Sequence, residues 1–160
     1  YGSPSQMIAP VDGNHTISGF TIDGNNKSLK AGVWVVNRNN ITMFNVDFVN
    51  LKQTGAVFTR GDMWYYEPLP EGKWMKNVKV FNCNFTNSGS NPGEQEGCLK
   101  IGGIDGCEIY NIDITDPNGQ GIKFAHVGHH RNTIIHDCKM RLSESHPQWG
   151  EFMAMELWNL

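Results

Sequence analysis

Apolar and polar positions alternate in a nine-residue phrase that returns five times along the chain. The copies are Asn14–Ile22, Asn40–Phe48, Asn77–Phe85, Gly106–Ile114 and Asn132–Met140. Each runs through a polar cap, two apolar residues in alternation, a small pivot and two more apolar residues in alternation. Phe20, Val46, Cys83, Ile112 and Cys138 form one column, with steps of 26, 37, 29 and 26 residues. Two more columns move with it: Ile22, Phe48, Phe85, Ile114, Met140 and Ile17, Met43, Val80, Ile109, Ile135. Period two is the strand signature, and no stretch carries a helical period. A strand, a pivot and a second strand, repeated at this interval, predict a parallel solenoid in which each coil covers the edge of the last.

The pivots are Gly19, Asn45, Asn82, Asn111 and Asp137. Glycine and asparagine accept left-handed backbone angles, and asparagine amides can bond to their equivalents one rung away, so the column predicts a ladder. A third strand per coil is expected just before each cap, at 32–36, 55–59, 98–102, 121–125 and 152–157. The fold class is therefore all-β: about five coils of three strands, forming one domain over 1–160. Loop insertions are expected at 60–75, which accounts for the long step, and at 141–151.

Three strands and one tight Asn turn per coil resemble the right-handed parallel β-helix of the pectate-lyase-like carbohydrate-active proteins. That group includes pectate lyases, polygalacturonases and the chondroitinase B/alginate lyase family. The resemblance covers nearly the whole chain and concerns architecture, since the fold hosts many activities.

A formal charge of −3 provides no domain-wide basic field for nucleic acid. No apolar run reaches membrane-spanning length. Few charged residues with much Asn, Gly, Thr and aromatic content suit a secreted, sugar-facing β protein. The chain starts at Tyr1 and ends at Leu160 without a capping element, so a processed or partial chain is expected, or a second chain over the open ends. Cys83 and Cys138 share a column two rungs apart, about 10 Å at ~4.8 Å per rung, beyond disulfide reach. Cys98 and Cys107 also fall at or beside inward positions, and all four read as small core residues. The Asn-x-Ser/Thr sites at Asn14, Asn26, Asn40 and Asn84 follow from the repeat itself.

Chemistry must come from outward positions and loops. On the third strand the outward set is Trp34, Val36, Lys100, Gly102, Lys123, Ala125, Ala154 and Glu156, with Met153 and Met155 inward. Lys100 and Lys123 then stack one rung apart. Two such ammonium groups lower each other's pKa unless an anion lies between them, which suits a general base or a carboxylate-binding site. A solvated lysine ladder, partly neutralised by Glu156 or Glu96, is the structural alternative. Arg60, His126, His129, His130 and Arg131 follow these strands and add positive charge.

Trp64, Tyr65, Tyr66 and Trp74 in one insertion, and His146 and Trp149 in the other, are candidates to wall a sugar groove or to fold back over the β-helix. The histidines lack a recognisable metal-ligand spacing. Calcium is the optional cofactor, with Glu94, Glu96 and Asp116 as loop ligands and Asp113 as a further one. No cofactor is required.

Gly93–Glu96 is similar to the Gly-Glu-x-Glu segment that precedes a catalytic lysine in the chondroitinase B/alginate lyase family, and Lys100 follows it. Aligned without gaps, Ile101 takes the lysine position, and Ala125 with His126 beside it takes that of the following arginine. The polygalacturonase, pectate lyase and mannuronan epimerase patterns are missing. The leading expectation is an extracellular or cell-surface polysaccharide lyase acting on an acidic polysaccharide by β-elimination. Lys100, Lys123, His126 and Glu156 would be catalytic. Arg60, Trp64, Tyr65, Tyr66, Trp74, His129, Arg131 and Trp149 would bind substrate. A glycoside hydrolase using a carboxylate pair drawn from Glu96, Glu144, Glu151 and Glu156 is the second expectation. A non-catalytic glycan-binding, adhesin or filament-forming solenoid, with end-to-end self-association, is the third.

Overall fold

The structure, a computed structural model, describes residues 8–27, 29–61, 69–89, 97–124, 130–146 and 153–157. All elements among them are strands. Four are long: β1 (Val11–Asp23), β3 (Arg38–Val49), β5 (Met75–Thr86) and β7 (Ile104–Thr115). The short ones are β2 (Ala31–Val36), β4 (Thr54–Thr59), β6 (Leu99–Gly102), β8 (Ile122–Phe124), β9 (Arg131–His136), β10 (Lys139–Arg141) and β11 (Met155–Leu157). The long strands stack in parallel in the order β1-β3-β5-β7-β10, with β9 also on β7. The short strands stack as β2-β4-β6-β8-β11. The chain alternates between the two sheets, so it is a β-solenoid of about four turns. Five phrases bound four complete returns, which is why the count of turns is one below the count of copies.

The two strands expected on either side of each pivot are one continuous strand in β1, β3, β5 and β7. Only at Asp137 do they separate, into β9 and β10. The pivot bends the strand without breaking its ladder. Its φ is +78° at Gly19, +52° at Asn45, +51° at Asn82, +50° at Asn111 and +52° at Asp137. A side chain in this region clashes with its own backbone unless it is absent or, like asparagine's, short and able to bond locally.

The caps obey the same rule, with positive φ at Asn14, Asn40, Asn77, Gly106 and Asn132. A further corner column does too: Asn50, Asn87 and Asp116. Amides link successive rungs in all three. Asn111 donates to Asn82 (3.2 Å), Asn40 to Asn14 (3.0 Å), Asn77 to Asn40 (2.9 Å), Asn50 to Asp23 (3.3 Å) and Asn87 to Asn50 (2.9 Å). Every one of these bonds runs from a later rung to an earlier one.

The interior is filled by the inward columns. Ile41, Met43, Val46, Phe48, Val78, Val80, Cys83 and Phe85 are fully buried, joined by Leu99, Ile101, Ile109, Ile112 and Phe124 from later rungs. Phe48 and Phe85 stack with centroids 4.7 Å apart. Gly32 and Gly55 sit where the short strands pass over these rings. A Cβ at Gly32 would approach Phe48 to 3.1 Å, and one at Gly55 would approach Phe85 to 2.6 Å.

Cys83, Cys98 and Cys107 are buried free thiols, as expected, and burial pushes their pKa values up, to about 11 for Cys83 and about 12 for Cys107. Cys138 is only half-buried, because it lies in the last rung and nothing in the described stack covers it. The inward Met155 is exposed for the same reason.

Candidate functional site

The short-strand sheet aligns Trp34, Val57, Lys100, Lys123 and Glu156 in one outward column. Lys100 and Lys123 are thus register partners one rung apart, as the alternation predicts. Their environments differ. Lys123 is 2% exposed, and its Nζ lies 2.9 Å from Glu156 Oε2, itself 11% exposed. This is a buried ion pair, closed to a bulky substrate. Val57 in the same column is buried as well, whereas Trp34 at its head is 37% exposed. Lys100 is half-buried.

Among the described residues, Arg60, Trp74 and His130 go into the fold. Arg60 is 1% exposed and donates to Asn37 Oδ1 and to the carbonyls of Lys73 and Ile8. Its guanidinium ties three segments together instead of facing a groove. Trp74 is buried, with the Arg131 guanidinium 4.7 Å from its ring centroid. It covers the side of the solenoid and offers no free ring face. Arg131 also bonds Glu71 and Asp105, at 2.9 Å each. Arg131 holds the Glu71 carboxyl below its ordinary pKa. Partial burial raises that of Asp105, but the bonds from Asn132 and Arg131 outweigh it and leave it lowered.

His130 is buried edge-on against Phe124. Asp116 takes the corner φ of +50° and accepts the Ser143 N–H through Oδ1 at 2.6 Å. It thus acts in a turn, and among the described residues no group of three or more His, Cys, Asp or Glu is placed to hold a metal. Trp64, Tyr65, Tyr66, Glu94, Glu96, His126, His129 and Trp149 lie outside the described residues, as does Glu151.

The open polar surface lies on the other sheet. Past the pivots, the outward positions of the long strands make two adjacent columns. One is Thr21, Asp47, Asn84, Asp113, Lys139; the other is Asp23, Val49, Thr86, Thr115, Arg141. Thr21, Asp47, Asn84 and Asp113 of the first and Val49, Thr86, Thr115 and Arg141 of the second line a cleft of about 360 Å³. Asn84 donates to Asp47 at 2.7 Å. Arg141 grips both oxygens of Asp113 at 2.9 and 2.8 Å and reaches Thr115 Oγ1 at 3.2 Å. Asp47 and Asp113 are two rungs apart, about 10 Å at the spacing of a parallel sheet.

The sequence alone offers Asp113 as a calcium ligand and does not assemble the cleft. The signal was available: the alternation that puts Phe48, Phe85 and Ile114 inside puts Asp47, Asn84 and Asp113 outside.

Before the pivots, the same strands present an aromatic ladder. Phe44, Phe81, Tyr110 and His136 stack with centroids 5.1, 4.8 and 5.1 Å apart and planes within 9°. Their faces are used on one another, so they show edges to solvent. Phe44 alone has the small Ser18 as its partner on the earlier rung. Beside the ladder, Lys79 and Glu108 pair at 2.8 Å, which lowers the Glu108 pKa and raises that of Lys79.

Comparison with protein-family models, curated proteins and solved structures returned no match to this chain.

Proposed function

We propose that the chain is a secreted carbohydrate-binding β-solenoid that holds a glycan along the cleft of the long-strand sheet. Its coils wind right-handed, as about 98% of parallel crossovers do. Each coil counts as three strands when the long one is divided at its pivot. The observation that carries the reading is the cleft itself. Asp47, Asn84, Asp113, Thr115 and Arg141 form an in-register row of planar and hydroxyl groups already oriented by their own hydrogen bonds. Oriented donors and acceptors bind sugar hydroxyls with little further ordering cost.

Charge selects the sugar class. Asp47 and Asp113 against one guanidinium disfavour a polyuronate at close range and favour a neutral glycan. Catalysis is poorly supplied, because Asp113 is clamped by Arg141 and its separation from Asp47 sits at the far limit for an inverting carboxylate pair, roughly 6.5–9.5 Å.

Affinity electrophoresis in gels containing neutral or acidic polysaccharides tests this. Retardation by a neutral glycan, lost in Asp47→Ala, is the expected result. Free migration in every gel, or unchanged retardation of the variant, would overturn it.

A second reading, β-elimination of an acidic polysaccharide, draws support from Lys100, half-buried beside the Lys123–Glu156 pair. Unsaturated-sugar absorbance that disappears in Lys100→Ala would establish it. Release of reducing sugar without that absorbance would point to a hydrolase.

A further inference from the structure

The two halves of the long-strand cleft differ in how much of their hydrogen-bonding capacity is spent. In the later half Asp113 accepts from Arg141 through both oxygens and from Thr115 Oγ1 at 3.3 Å, and Thr115 in turn accepts from Arg141 Nε. In the earlier half Asp47 accepts the Asn84 amide on Oδ1, and among the described residues it has no other hydrogen-bond donor. A carboxylate offers about four lone-pair sites, so Oδ2 is open to a donor from outside.

Val49 stands beside it. Asp47 and Val49 are two residues apart on β3, so their side chains leave the same face about 6.6 Å apart. Both line the cleft, and both are half-buried. The equivalent pairs are Thr21 with Asp23 on the rung before, then Asn84 with Thr86, Asp113 with Thr115 and Lys139 with Arg141 on the rungs after. Within these two columns, only the β3 rung sets a carboxylate next to an apolar side chain.

We propose, on the glycan reading of this cleft, that the Asp47–Val49 rung selects a sugar bearing an acetamido group. A secondary amide is planar and trans, which puts its N–H and its acetyl methyl on the same side. One acetamido group therefore donates to Asp47 Oδ2 and lays its methyl on Val49 at once. A hydroxyl in the same place makes the first contact and leaves Val49 against water. The group is uncharged, in keeping with a cleft that holds two carboxylates and one guanidinium.

Affinity electrophoresis of the full chain in gels containing glycol chitin or hydroxyethyl cellulose is the test. The two soluble polymers share a β-1,4-linked backbone and differ in carrying an acetamido or a hydroxyl group on the second sugar carbon. The expected result is stronger retardation by glycol chitin. Val49→Thr keeps the side-chain shape and is expected to lower the affinity for glycol chitin about fourfold, as the loss of one methyl contact does, with that for hydroxyethyl cellulose unchanged. Asp47→Asn is expected to weaken both, and far-ultraviolet circular dichroism matching the parent shows that the variants fold. Equal retardation in the two gels, stronger retardation by hydroxyethyl cellulose, or a Val49→Thr variant that keeps the full preference would overturn the acetamido assignment while the glycan reading stands. Free migration in both gels would overturn the assignment, and free migration in every polysaccharide gel would remove the glycan reading with it.

Discussion

Asn82 and Asn84 are neighbours on one strand, both exposed and both in an inter-rung amide bond, yet they differ in backbone. Asn82 holds φ at +51° and accepts from Asn111, whereas Asn84 is outside the positive-φ set and donates to Asp47. Replacing either by alanine removes one solvated hydrogen bond, about 0.5–1.5 kcal/mol. At Asn82 the alanine must also hold a left-handed angle, which adds about 1–2 kcal/mol. Asn82→Ala should therefore cost about 1.5–3 kcal/mol and Asn84→Ala about 0.5–1.5 kcal/mol. Asn82→Gly should recover part of the difference, since glycine accepts the angle but adds about 0.5–1 kcal/mol of unfolded-chain entropy. Urea unfolding followed by far-ultraviolet circular dichroism measures this. At a slope of about 2 kcal/mol per M, the two alanine variants should differ in midpoint by roughly 0.5–1 M. Equal midpoints for the two alanine variants, or a glycine variant no more stable than Asn82→Ala, would refute the claim that backbone conformation selects asparagine at the pivots.

Glu156→Gln removes the carboxylate paired with the buried Lys123 ammonium and should destabilise by about 3–5 kcal/mol, with Lys123→Met/Glu156→Gln recovering most of it in the same assay. A thiol reagent at mild alkaline pH should modify Cys138 alone in the native protein and all four cysteines in denaturant, because Cys83, Cys98 and Cys107 are buried and Cys138 is only half-buried. The carboxyls of Glu71, Glu108 and Asp105 titrate below their ordinary values of 4.5, 4.5 and 3.8 in the folded chain. Their contribution is therefore present above those values and lost as pH falls through the lowered ones. The urea midpoint should drop below about pH 4.5, and Arg131→Met should flatten part of that drop.

The stacking of the coils, the inward columns and the left-handed pivots are all written in the sequence, because period two and a small polar residue are local consequences of the backbone. Alternation around Asn45 and Asn82 shows which neighbours face in. It does not show that the halves form one bent strand, since that depends on the ladder continuing across the bend. The caps and the Asn50–Asn87–Asp116 corner carry the same Asn/Asp signal and the same positive φ.

Function was harder to read for a physical reason. Lys123 and Arg60 are outward or loop residues by pattern, but what covers an outward face is loop packing, which has no period. Trp74 has two readings from its residue type alone, and in the structure it is buried beneath the Arg131 guanidinium. Nothing in the spacing to Glu156 said that the partner of Lys123 would close over it.

The Gly32–Phe48 and Gly55–Phe85 contacts each form within one coil. A coil copied whole would arrive with its own lock, its own pivot and both ends of the amide ladder, and would present to its neighbours the surfaces they already meet. Copy number is therefore an adjustable property of this architecture. The molecule can lengthen in steps of one rung, about 4.8 Å, and each added rung extends the cleft by one more set of side chains. Gene duplication can thereby lengthen such a protein without redesigning any single contact.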